Sequence, residues 1–183
     1  LRSINETAAA STFDNEWNGT YLNLNNIQQM IAKCEEGGNS AGQLDIKAMG
    51  QILAAYDWGI MTDLFGNIPC SEAFKVFAPK LDTQEDIYKH ILELLDAAKG
   101  NLDQAIAGNM KNAGAFDVLF NGNLTQWRGL AHALKARYLL HEVGRATDKN
   151  AQYAQILEEA NAAVADGFNG ANLNIFDGNN QID

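Results

Sequence analysis

The sequence predicts an all-α protein of tetratricopeptide-like helix pairs joined by long irregular loops. Three observations carry the fold class. Apolar residues recur at steps of three and four in five separate stretches. Glycines and capping residues punctuate the ends of those stretches. The last two stretches are joined by a short connection, the helical-hairpin unit from which solenoids are built. At least about half of the chain should be helical and under about one-tenth strand, well above the helical base rate.

The first helix begins near Trp17, and its stripe is Trp17, Tyr21, Leu24, Ile27, Ile31 and Cys34. Gly37 and Gly38 stop it. The second spans about residues 43–64, with Met49, Ile52, Leu53, Tyr56, Ile60 and Leu64 on one face; Gly66 and Pro69 forbid its continuation. A third starts at Asp82-Thr83, where either residue can cap, with Glu85 and Asp86 in the first turn. Its stripe is Ile87, Ile91, Leu94, Leu95, Ala98 and Leu102. Residues 105–122 hold no steady period, although Phe116, Val118, Leu119 and Phe120 suit a short extended piece. The fourth helix covers about residues 125–143 on Trp127, Leu130, Leu134, Tyr138 and His141. The fifth covers about residues 150–166 on Tyr153, Ile156, Leu157, Ala160 and Val164.

Composition narrows the function. The 183 residues carry 13 Lys+Arg against 23 Asp+Glu, a net charge of −10 that disfavours nucleic acid and anionic headgroups. No apolar run approaches the roughly 20 residues of a membrane-spanning helix. Cys34 and Cys70 allow a single bridge but favour two thiols, and cannot supply a four-ligand zinc site. His90, His132 and His141 lack the spacing of a helical metal pair, and no nucleophile elbow, phosphate loop or calcium loop is present. No cofactor, metal or catalytic set is therefore expected. An enzyme would have to use His90 with Glu93 or His141 with Glu142, buried together in a cleft. The sequons at Asn5, Asn18 and Asn123 have simpler roles as loop or cap.

Four segments, in order, carry a resemblance. Trp17, Tyr21 and Asn25 resemble a W…Y…N opening of an early helix. Residues 61–74, with Asp63, Gly66, Pro69, Ser71, Glu72 and Ala73, resemble an L-x-D-x-Y-G-D-x-P-y-S-E-A stretch. Leu81 to Tyr88 with Leu94, Leu95, Asp96 and Ala98 resembles a D-x-x-e-x-i-Y segment and its helix. Gly122, Trp127, Ala131, Leu134 and Arg137 resemble a G-d-x-x-k-W-x-k-f-a-n-s-L-k-l-R segment. Together they resemble the SusD/RagB family, in its SusD-like subgroup, over most of residues 17–145. Departures are Phe65 for Tyr, Asn67 for Asp, and a much shorter chain. Beginning with Leu1, it is read as one incomplete helical domain over residues 1–183, an N-terminal fragment of a larger protein.

The resemblance implies a non-catalytic nutrient-capture lipoprotein on the outer-membrane surface. It would bind a glycan or oligosaccharide and deliver it to a TonB-dependent SusC-like transporter, touching the membrane only through a lipid anchor outside this fragment. Sugar rings stack on aromatic faces while amides and acids bond hydroxyls. Phe13, Asp14, Trp17 and Asn18 are the candidate ligand residues, with Trp58 a further one; for Trp17 and Trp58 core packing competes, and Trp127 is assigned to the core. Arg137 is expected on an acid or a helix C-terminus. The alternative is a helical-repeat module binding a peptide, which an exposed apolar groove would favour. An incomplete core also predicts exposed apolar residues on helices four or five.

Overall fold

A computed structural model describes residues 14–172. Of these, 69% are helical. Five helices follow in order: α1 (Asp14–Cys34), α2 (Leu44–Phe65), α3 (Gln84–Ala107), α4 (Leu124–Glu142) and α5 (Lys149–Ala165). Each packs on the next, and α2 also touches α4. Among the described residues there is no strand, only one β-bridge between Ile68 and Asp82.

α1 starts three residues earlier than its apolar stripe. Asp14 and Glu16 lie in the first turn, where the helix dipole favours anions. α3, α4 and α5 are capped by side chains. Thr83 accepts from the Asp86 amide, Asn123 from the Gln126 amide, and Asp148 from the amides of Asn150 and Ala151.

The core runs through Leu24, Ile52, Trp58, Met61, Ile91, Leu95, Leu102, Ala131 and Tyr138. α2 is buried around most of its circumference, because α1, α3 and α4 all lie against it. Of the residues expected to face inward, Met49 and Ile52 are buried and Leu53 packs against the core, whereas Ile60 is only half-buried and Tyr56 and Leu64 face solvent. Tyr56 is 41% and Leu64 53% exposed, while Trp58 and Met61 are fully buried. Two α2 glycines permit this enclosure. A Cβ at Gly59 would stand 2.1 Å from the Tyr138 hydroxyl of α4, and one at Gly50 would meet Met30 and Ile31 of α1 at 2.8 Å.

Residues 108–123 correct another expectation. Instead of an extended piece, the chain makes a 3-10 turn at Gly114–Phe116 and then wraps around Asp117. That buried carboxylate accepts from the amides of Leu119, Phe120 and Gly122 and, at 2.7 Å, from the Trp127 indole. Buried Asp45 likewise takes two bonds from Asn112, both at 2.8 Å.

α5 is pinned mainly by charge. Glu159 meets His132 and Lys99 at 2.5 and 2.7 Å and Lys135 at 3.1 Å; Arg128 bridges Asp166 and Asp103. Only Ala163 of α5 is buried, and Tyr153, Leu157 and Val164 are at least half exposed. Leu140 of α4 is also exposed, so apolar residues on α4 and α5 do face solvent. Both cysteines are free thiols, Cys34 buried and Cys70 half-buried. Arg137 lies 5.8 Å from the Tyr138 ring centroid.

Candidate functional site

Between α2 and α3 the chain forms a long loop, residues 66–82, that folds back on α1. Gly66 leaves α2 at φ +71°, a conformation that costs a residue with a Cβ. Thr62 then bonds the Gly66 carbonyl, and the Gln84 amide bonds the Asn67 side chain. At the loop's far end Asp82 closes it. Its carboxylate accepts from the amides of Cys70 (2.9 Å) and Ser71 (2.7 Å) and from the Ser71 hydroxyl (2.8 Å), and its own amide donates to the Ile68 carbonyl. Burial opposes the Asp82 charge, but these bonds and Lys80 outweigh it and hold the carboxyl below its ordinary range.

This clamp presents an aromatic groove of about 290 Å³ lined by Trp17, Tyr21, Pro69, Ala73, Phe74 and Pro79. The rings are mutually braced. Trp17 lies 5.0 Å from both Tyr21 and Phe65, and Tyr21 lies 6.0 Å from Phe74, all tilted or edge-on. The Tyr21 hydroxyl donates to the Pro69 carbonyl at 2.6 Å, tying α1 to the loop. Burial, then Cys70 and Asp82, push that hydroxyl above its ordinary range, so it stays protonated. Phe74 sits at φ +64° and is 44% exposed. A non-glycine residue in this left-handed region is strained, a feature concentrated at ligand sites.

Of the residues singled out from sequence, Trp17 lines the groove, and Asp14 and Asn18 lie exposed on the neighbouring turn of α1. Phe13 lies outside the described residues. Trp58 is corrected: it is fully buried in the core, with its ring centroid 5.9 Å from that of Tyr21 in an edge-on contact. Among the described residues its indole nitrogen has no hydrogen-bond partner. Sequence reasoning missed Tyr21, Phe74 and Pro79. Tyr21 was absorbed into the helix stripe, and the signal for the others is an aperiodic apolar run at residues 74–79, inside a loop.

His90 lines a hollow beside the loop whereas Glu93 lies in another with Glu85, Asp86 and Glu142. His141 faces Tyr88 at 2.9 Å and Asp63 at 3.5 Å. Burial, then Asp82, raise the Cys70 thiol to about 12, which keeps it protonated and unreactive near neutrality. Among the described residues no group of three or more His, Cys, Asp or Glu is placed to hold a metal.

The fold and groove define a helical-hairpin scaffold that carries a ligand-sized concavity on an inter-helix loop. The chain belongs to the SusD-like family: residues 5–181 match SusD-like_2, described as starch-binding and associating with outer membrane. A SusD/RagB family protein from Bacteroides thetaiotaomicron is 35% identical with a TM-score of 0.83, over 96% of this chain and 36% of that one. A chitin-binding SusD homolog from Flavobacterium johnsoniae is 27% identical with a TM-score of 0.65, over 81% of this chain and 30% of that one. The chain thus spans about a third of the length of these structures. No curated protein gives a significant match.

Proposed function

We propose that the chain is part of a non-catalytic, surface-exposed outer-membrane lipoprotein that captures a glycan and passes it to a TonB-dependent SusC-like transporter. The observation that carries glycan binding is the braced aromatic groove of Trp17, Tyr21 and Phe74, flanked on α1 by Asp14 and Asn18. Pyranose C–H faces stack on such rings, and carboxylate and amide groups exchange hydroxyl bonds with water at about 0.5–1.5 kcal/mol net each. The chitin-binding relative supports the ligand class. Affinity near millimolar, about −4 kcal/mol, is expected of one such groove. Transporter delivery, the anchor and the fragment's place in a longer chain rest on family membership alone.

A glycan array followed by calorimetry tests this reading. Trp17→Ala and the surface change Asn18→Ala should each weaken binding, and salt should have little effect, unlike phosphate recognition. A glycan that binds with both variants unimpaired places the site elsewhere.

One feature favours a second reading, a peptide-binding helical module. An apolar groove of about 420 Å³ opens between α1, α2 and the loop after α3, lined by Met30, Met49, Leu53, Phe116, Val118 and Trp127. Binding of apolar peptides in the absence of any glycan ligand would move this reading ahead.

A further inference from the structure

The loop of residues 66–82 has a second side. Behind it, bounded by α1 and the first turns of α3, lies a cavity of about 340 Å³ lined by Gln28, Ser71, Lys75, Asp82, Asp86 and His90 over a floor of Ala73 and Ile87. Ala73 belongs to the wall of both this cavity and the aromatic groove. Along α1, Tyr21 of the groove and Gln28 of the cavity are two helical turns apart, about 10 Å. The two concavities are thus neighbours along one side of the same helix.

The chemistry of the lining selects a ligand. Both Asp82 oxygens are engaged by Cys70 and Ser71, and Asp86 accepts from the Thr83 hydroxyl. With Asp82 taken up in this way, Asp86 alone does not make a cation site, and among the described residues no group of three or more His, Cys, Asp or Glu is placed to hold a metal. Two carboxylates against Lys75 alone also disfavour a phosphate or other anion. The Lys75 ammonium is steadied by the Ser71 carbonyl at 3.0 Å and retains donors for a ligand. The side chains of exposed Gln28 and half-buried His90 make no hydrogen bond among the described residues, so an amide and an imidazole line the cavity open to solvent and to a ligand that displaces it. Burial is the main influence on His90 and holds its imidazole below the ordinary range, so near neutrality it offers one donor and one acceptor. The volume falls at the small end of ligand sites, roughly 300–1,000 Å³, and suits a single ring.

We propose that this cavity is a second carbohydrate subsite, taking one neutral, hydroxyl- or amide-bearing pyranose ring of the glycan whose neighbouring ring stacks in the aromatic groove. Gln28, Lys75 and His90 bond its hydroxyls while Ala73 and Ile87 pack against a C–H face. The choice of ligand rests on the glycan reading above; the existence of the subsite rests on the cavity and its unused polar groups.

The chain contains only three histidines and three tryptophans, so side-chain NMR resolves the question directly. Glucose, N-acetylglucosamine, maltotriose and chitotriose are titrated in turn. A trisaccharide is expected to shift His90 and the Trp17 indole together, leaving His132 and His141 unmoved. Gln28→Ala, a surface change that spares the core, should weaken the trisaccharide roughly two- to ten-fold, the loss of about one hydrogen bond. If Trp17 responds and His90 does not, the subsite is overturned and the groove stands. If His90 responds without Trp17, the subsite stands and the groove reading falls. If neither responds to any of the four sugars, both fall.

Discussion

Phe74 holds a backbone conformation that costs a non-glycine residue roughly 1–2 kcal/mol, yet its ring is nearly half exposed at φ +64°. Little core burial offsets that strain, so the ring's contribution is expected at the groove. Phe74→Gly should therefore leave the melting temperature unchanged or slightly raised while weakening glycan binding several-fold; a lower melting temperature with intact binding would assign Phe74 to the core instead. The buried tryptophans make a second contrast. Trp127 donates its indole to Asp117, whereas the indole nitrogen of Trp58 has no partner among the described residues. Trp127→Phe removes one of the four hydrogen bonds to the buried Asp117 carboxylate, leaving those from Leu119, Phe120 and Gly122, and should cost about 1–2 kcal/mol more than the loss of ring volume alone. Trp58→Phe removes an unpaired buried donor, so thermal denaturation should show it as the milder of the two. Equal losses would mean that the Asp117 bond contributes nothing.

At the scale of elements, α5 depends on Glu159. Burial raises the pKa of this carboxyl, but His132, Lys99 and Lys135 outweigh it and bring it down to about 2. A carboxyl depressed in the folded state stabilises above its unfolded value, near 4.3, and loses that contribution as pH falls toward 2. With allowance for solvent screening the contribution is about 1–2 kcal/mol. Melting curves of Glu159→Gln should lie below wild type at pH 7 and converge with it toward pH 2; a constant gap across that window would show that the ion cluster is not what holds α5. Most helix boundaries were legible in the sequence, because Thr83 and Asn123 cap locally and Gly37 and Gly66 stop locally; the start of α1 and the Asp148 cap of α5 were not read. The inward face of α2 was half misread. A helix enclosed by three neighbours is apolar nearly all round, so periodicity cannot tell its one solvent strip, at Tyr56 and Leu64, from its core. For the site, Trp17 was visible as an aromatic beside polar residues at a helix start. Tyr21 and Phe74 were not, since they meet only when Asp82 closes a loop onto Cys70 and Ser71, twelve and eleven residues away.

For the whole molecule, Leu140, Tyr153, Leu157 and Val164 leave apolar surface on the last helix pair, in a chain that spans about a third of its structural relatives. Sedimentation should show concentration-dependent self-association of this chain, reduced by Leu157→Glu; a monomer at all concentrations would show that this surface is too dispersed to drive contact. The central claim, that α1 and the 66–82 loop form a glycan-binding groove, is tested most directly at the indole signals. Trp58 and Trp127 are buried, and Trp17 alone among the three lines the groove. Titration with maltotriose and chitotriose should shift the Trp17 indole, saturate near millimolar ligand, leave Trp58 and Trp127 far less affected and change little with salt. A Trp17 signal that stays fixed while calorimetry records glycan binding, or the absence of any glycan binding, would contradict the account.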